Sequence, residues 1–196
     1  MALIAQALVT ADEVDAYIQN QAATNDTVIE YIINGVSQQF STFAGRAFIS
    51  TVYTSLALDG NGETDFYLPN WPITNLGTVI EDTVTLTLNT DFYADLTRGL
   101  LSKGKFNWPW YDYQAKWTTK QQAIVVTYTA GYTQATTLPA DLKLAALKEI
   151  ARQYQVFITK QNGIASSSVS GSSSSASAPD KPEWMEIVSR YRRIRV

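Results

Sequence analysis

The sequence predicts an α+β protein: an α-helical bundle with an inserted antiparallel β-rich domain and a linker-tethered C-terminal helix. Three observations carry that reading. Apolar residues recur at spacings of three and four in "TVIEYIINGVSQQFSTFAG" (27–45) and again after Pro139, the pattern of amphipathic helices. Between them the period falls to two, most clearly in "AIVVTYT" (123–129), the mark of strands with one covered face. Finally, a Ser/Gly/Ala stretch that cannot bury a core separates this body from the short amphipathic ending "KPEWMEIVSRYRRIRV".

The elements follow in order. Thr10-Ala11-Asp12-Glu13 is a capping box, so a short helix follows with Val14, Tyr17 and Ile18 on one side. Asn25 or Asp26 caps the longer helix, whose stripe is Ile29, Ile32, Val36, Phe40 and Phe43, widened by Val28 and Ile33. Gly45 stops it. Gly35 lies mid-helix, at about 1 kcal/mol relative to Ala; close packing against another backbone explains it, or simple tolerance. From Phe48, "FISTVYTSLAL" alternates, Asp59-Gly60-Asn61-Gly62 reads as a β-hairpin turn, and "TDFYL" (64–68) as a short strand. "PNWPIT" is a proline-bounded connection. "TVTLTLN" (83–89) alternates with Val84, Leu86 and Leu88 on one face, and "DFYADLTRGLLSKG" forms short strands turning at Arg98-Gly99.

Between the last strands, "KFNWPWYDYQAKWTTKQ" has no clear period. It reads as a protruding loop whose Trp108, Trp110 and Trp117 form a candidate contact surface, with folding back over the sheet as the alternative. Pro139 then opens a long helix. Leu144, Leu147, Ala151, Tyr154 and Ile158 make one stripe, with Leu142, Ile150 and Phe157 beside it. That is more apolar surface than one neighbour requires, so Leu147, Tyr154 and Ile158 are expected between subunits. The organisation is N-terminal helices (1–47), β-rich insertion (48–132), long bundle helix (133–163), Ser-rich linker (164–180) and C-terminal docking helix (181–196).

Composition narrows the function. The 196 residues are 45% hydrophobic and 17% charged, enough for a real core. There is no Cys and no His, which excludes disulfides and thiolate chemistry and removes the commonest general base and metal ligand. No stretch approaches the roughly 20 apolar residues that cross a bilayer, so no membrane partner is expected. The N-terminus lacks a signal-peptide pattern, which makes the cytoplasm the default compartment. Asp59-Gly60-Asn61-Gly62-Glu63 lacks the ligand register of a calcium loop, and no phosphate loop, nucleophile elbow or dinucleotide fingerprint occurs. The expectation is no catalysis, no cofactor and no metal.

Charge is uneven. Residues 181–196 carry a net +3, leaving −6 on the rest of a chain whose total is −3. An acidic body with a basic tip does not resemble a duplex-DNA reader. The ending instead reads as a docking arm: Trp184, Ile187 and Tyr191 supply an apolar face, and Arg190, Arg192, Arg193 and Arg195 pair with carboxylates of a partner.

The ordered pieces "FAGRAF", "YTSLALDGNGETDFYLPNWPI", "VVTYTAGY" and "LPADLKLAALKEIARQY" resemble the head-tail connector (adaptor, or head-completion) proteins of tailed bacteriophages, the gp6-like family. The similarity covers residues 8–160. It is carried by Gly45-Arg46, Asp59-Gly60-x-Gly62, Leu68-Pro69 to Pro72-Ile73, Tyr128 to Tyr132 and Pro139-x-Asp141-Leu142. The resemblance implies a structural virion protein assembled in the host cytoplasm. It also implies a homo-oligomeric ring of about a dozen copies below the portal protein, since heterologous contacts close rings. Such a ring extends the DNA channel, lets DNA pass without specific binding, and meets a neck, tail-completion or tail-terminator protein at the head-tail interface of the virion. Other readings are a different neck or tail-completion component, a carbohydrate-binding module using the aromatic loop, and an ordinary monomeric α+β protein.

Overall fold

Thr10 opens the first helix, α1 (Ala11–Ile18), through both halves of its capping box. Its hydroxyl accepts from the Glu13 amide at 3.2 Å, and the Glu13 carboxylate accepts from the Thr10 amide at 3.1 Å. The computed structural model describes residues 2–19, 26–104, 115–134, 136–159, 166–169, 172–175 and 182–192. They divide into two units, a helical one from Met1–Gly45 and Gln134–Arg192, and a β-rich one within Arg46–Thr133.

In the helical unit α2 (Asp26–Ala44), α3 (Ala140–Thr159) and the short α4 (Glu183–Ser189) pack against one another, and α1 packs on α2 and α3. The core-facing side of α2 is Ile29, Ile33, Val36 and Phe40. Its two buried polar residues tie down the N-terminal segment. Asn34 Oδ1 accepts from the Ile4 amide at 3.0 Å and Ser37 Oγ from the Leu8 amide at 3.1 Å, so Leu8 and Val9 are fully buried. Gly45 ends α2 in the left-handed region (φ 70°), its amide donating to Ser41 O at 2.9 Å. Pro139 starts α3, its carbonyl accepting from the Lys143 amide at 3.0 Å.

The β-rich unit holds two antiparallel sheets. One has the order β1-β7-β3-β4, from Thr51–Leu58, Ile124–Ala130, Ile73–Glu81 and Val84–Leu86. The other has the order β2-β6-β5, from Asp65–Tyr67, Leu100–Lys103 and Phe92–Asp95. Side chains of both meet in one core, including Phe66, Val79, Phe92, Leu101, Val126 and Tyr128. The expected strand 123–129 is β7, a central strand that alternates buried and half-buried along its length. Turn chemistry at Arg98-Gly99 joins β5 to β6, with Gly99 at φ 68°.

Two expectations need correction. The stretch after "PNWPIT" has no strand pattern in the sequence, yet β3 is the longest strand among the described residues and pairs with both β7 and β4. Its register shifts between Ile73 and Asn75 and between Leu76 and Val79, which breaks the alternation that would reveal it. Asp59-Gly60-Asn61-Gly62 is not a hairpin turn, because β1 and β2 lie in different sheets. It runs against residues 117–122 instead. The Gly60 amide donates to Lys120 O at 2.9 Å, and a Cβ there would fall 1.8 Å from Thr118 O, which explains the glycine.

Within the Ser-rich segment, Ser166–Val169 (β8) and Ser172–Ser175 (β9) pair as an antiparallel hairpin, where composition suggested no element.

Candidate assembly surfaces

Three segments carrying the connector resemblance converge on Arg46, which is 5% exposed. Its guanidinium lies 3.8 Å from the Trp71 ring centroid, with the Phe48 and Tyr132 rings at 5.3 and 5.8 Å, and it donates to Trp71 O. Asn70 Oδ1 accepts from the Ala47 amide at 3.0 Å. Gly131 (φ 116°) passes so close to Ile49 that a Cβ would lie 2.7 Å from its carbonyl carbon. The node joins the entry of the β-rich unit to its exit, a structural clasp rather than a reactive site. In the sequence these residues stand only as separate motif fragments.

A second buried charge, Glu81, accepts from Lys103 Nζ and, at 2.7 Å, from the Thr118 amide. The Lys103 ammonium lies 5.4 Å from the Trp117 ring centroid. Trp117, expected in the contact loop, is itself core: 2% exposed, between Phe66 and Phe92, its indole N–H donating to Thr64 O at 3.0 Å. Pairing of 117–122 with the Gly60 segment draws the ring inward. Trp108 and Trp110 lie outside the described residues.

The faces of α3 also differ from the expected stripe. Its buried side is Leu142, Ala145, Ala146, Ile150 and Tyr154, so the Tyr154 ring belongs to the helical unit's own core. Leu147 is half-buried, while Leu144, Phe157 and Ile158 face outward. Near the end of α3, Val156 and Phe157 line a cleft of about 450 Å³ with Val28, Tyr31 and Ile32 of α2. Tyr31, which no periodicity singled out, is 56% exposed there. It falls two residues after Ile29, off the core stripe, and its size was the available signal.

One carboxylate sits on the apolar side of α3. Glu149 is buried, and Arg152 meets it with two hydrogen bonds at 2.9 and 2.6 Å while Gln153 adds one at 2.9 Å. Burial pushes its pKa upward, but these donors and the Arg152 charge outweigh it and hold the group below its ordinary value. The signal for this cluster in the sequence is the i, i+3 and i+4 spacing from Glu149 to Arg152 and Gln153.

The apolar face expected on α4 exists, and the helical unit covers it. Trp184 is 4% exposed, stacked on Phe40 at 4.9 Å and edge-on to Phe43 at 5.3 Å; Val188 is fully buried. Ile187 and Tyr191 are half-buried, and Tyr191 Oη donates to Asp141 Oδ1 at 2.7 Å. Arg190 pairs with Glu186 at 3.5 Å, and Arg192 stands 5.3 Å from the Phe43 ring centroid. The aromatic face is therefore not a free docking surface, because Phe40 and Phe43 of α2 already meet it. Arg193 and Arg195 lie outside the described residues.

Among the described residues no cluster of three or more acidic, His or Cys side chains is placed to hold a metal. Among the described residues no helix is long and apolar enough to cross a membrane.

A family model described as head completion protein matches residues 7–194. The chain belongs to the head completion protein family. Solved structures of similar fold include a chain in the neck of an empty GTA particle computed with C6 symmetry. It has 15% identity and a TM-score of 0.56, over 100% of this chain and 95% of that one. Another is in the neck of a native GTA particle computed with C12 symmetry, at 17% identity and TM-score 0.56, over 100% and 94%. A third belongs to the virion of a native gene transfer agent (GTA) particle, at 16% and 0.57, over 100% and 94%. At these identities the likeness is one of fold. A search of curated protein sequences found no significant match.

Proposed function

We propose that the protein is a structural part of the neck of a tailed-phage-like virion. In this reading about a dozen copies form a ring, closed by heterologous contacts, below the portal protein. The ring extends the DNA channel and joins the head to the next neck or tail-completion protein. The observation that carries it is the head completion match over 7–194, together with a fold that covers the whole chain and 94% of a chain from a neck computed with C12 symmetry. Assembly takes place in host cytoplasm, and the finished protein resides at the head-tail interface.

Charge supports a conduit. An acidic body offers no clustered cations to the phosphate backbone, so DNA slides through without specific binding. Contacts between subunits fall to Leu144, Leu147, Phe157 and Ile158 of α3, with Tyr31 of α2. Tyr154 is withdrawn from that set by its burial. Portal contact falls to Arg190, Arg192, Arg193 and Arg195, pairing with carboxylates, while Trp184, Ile187 and Tyr191 seat the helix that presents them. Trp108 and Trp110 are proposed as residues of a contact loop.

The test is to add the purified chain to portal-bearing heads that lack it and to image the portal vertex. A ring of added density at that vertex is expected. Chains that stay unassociated at every concentration would overturn the assignment.

A further inference from the structure

Strand β7 lies inside its sheet and turns Ile124, Val126, Tyr128 and Ala130 into the core, so Val125, Thr127 and Thr129 face the other way. The register sets Val52 and Asn75 beside Thr129, and Ala57 and Ile80 beside Val125. Thr85 of β4 follows beside Ile80. This outer face carries no charged side chain, and Val52 is 65% exposed on it. A sheet face turned to water is ordinarily polar and defended by charge, whereas depletion of charge marks the core of a protein interface. The edge of the same sheet is blunted. Both β1 and β3 shift register opposite Thr127, and the Ser55 amide donates to Thr127 Oγ1 at 3.0 Å, so β1 disfavours the addition of another strand. The face, not the edge, is left to a partner.

A second uncharged face lies on α3. Leu144, Leu147, Ala151, Gln155 and Ile158 follow at spacings of three and four, off the buried line of Leu142, Ala146 and Ile150. Leu144 and Ile158 are exposed. Residues 144–158 rise about 21 Å. The sheet face measures about 14 Å across its four strands and about 14 Å along β7 from Val125 to Thr129, so the stripe covers it from end to end. A helix laid on a sheet face is an ordinary two-layer packing. Other occupants fit less well. Duplex DNA needs cations that the face lacks. The outer face of the second sheet would take the Asp65 and Asp95 carboxylates out of water. Two identical sheet faces make a two-fold contact, which closes no ring.

We infer that the α3 stripe of one copy packs across the outer face of the four-stranded sheet of the next. This rests on the ring reading above and names the surface that receives the helix. Each copy gives a helix and receives one on a different surface, the heterologous contact from which closed rings are built. Paired charges rim both faces: Lys120 with Asp82 at 3.0 Å beyond Ile80, and Lys148 with Glu183 at 2.9 Å beside the stripe. A helix about 21 Å long and about 10 Å across covers about 200 Å² of the sheet in plan. That is well below the roughly 800 Å² that each partner of a stable pair buries. Free pairs are therefore weak, and the contact persists where ring closure gives each copy two of them.

The chain contains no cysteine, so introduced thiols are its sole reactive ones. Chains carrying Leu144→Cys or Ile158→Cys are mixed with mass-tagged chains carrying Val52→Cys, Ala57→Cys or Thr85→Cys. The mixtures are added to portal-bearing heads that lack the protein and treated with a short bismaleimide. The expected result, in at least one mixture, is a covalent pair of one chain changed on α3 and one changed on the sheet. If density fills the portal vertex but no mixture gives such a pair, the contact is wrong although the ring stands. Links only between two sheet-changed chains, or only to another virion protein, overturn it as well. If the chains never join the heads, the ring reading fails and the contact with it. A second measurement needs no cross-link. Val52→Glu and Leu144→Lys should each leave the circular dichroism of the free chain unchanged and raise the concentration that half-fills the vertices by about tenfold or more, because each buries a lone charge. Unchanged filling by both variants would overturn the proposal.

Discussion

Replacing Trp184 by Ala tests the α4 seat most directly. The ring is almost wholly buried, stacked on Phe40 and edge-on to Phe43, and it is the largest side chain that α4 contributes. Removing a buried Trp costs about 3–5 kcal/mol, and about 3 kcal/mol shifts the docking equilibrium by roughly two orders of magnitude. Because α4 follows a long connection, it can leave its seat without unfolding α1–α3, so the loss should be local. Hydrogen exchange of the 184–191 amides should accelerate by about that factor, while the amides of 142–154 change by far less. Trp184→Phe supplies the contrast. The indole N–H has no partner among the described residues, so Phe gives up area but no hydrogen bond, and a penalty about 1–2 kcal/mol smaller than Ala's is expected. Unchanged exchange at 184–191 in Trp184→Ala would refute the seat. Equal effects of Ala and Phe would refute the claim that the N–H contributes nothing.

Further outcomes follow from single residues. Gly35→Ala should raise stability by about 0.5–1 kcal/mol in denaturant titrations, because a Cβ there meets nothing within 4 Å and the backbone is helical. Glu81→Ala should destabilise the β-rich unit by about 3 kcal/mol, leaving the Lys103 ammonium and the Thr118 amide without their acceptor; an unmoved denaturation midpoint would show the pair to be neutral. The Glu149 carboxyl is held below its unfolded value of 4.5, so its contribution to stability is present above that pH and lost as pH falls through the folded value. Acid titrations of the thermal midpoint should therefore steepen below about pH 4.5 in the natural chain and flatten in Glu149→Gln.

What was legible in the sequence is what a turn or two of chain determines alone. The Thr10–Glu13 capping box, the Gly45 stop, the Pro139 start and the alternation expected over 123–129 each depend on neighbours within a few residues; the first three are found as written, and the strand runs one residue later, over Ile124–Ala130. The ordered motifs also pointed to the family whose model matches residues 7–194. Burial is another matter, since it depends on what approaches from far along the chain. Periodicity places Tyr154 and Ile158 on one stripe, but the helical unit's packing buries Tyr154 and leaves Ile158 outside. Trp117 reads as a loop aromatic until residues 59–63 pair with its backbone and turn it into the core. Strand β3 was hidden because two register shifts erase its period, and its two partners hold it regardless. For α4, the apolar face was visible in sixteen residues of sequence, while Phe40 and Phe43 as its cover were not. A side chain's face is a local property of backbone geometry, but its partner is set by the packing of elements that lie more than a hundred residues apart.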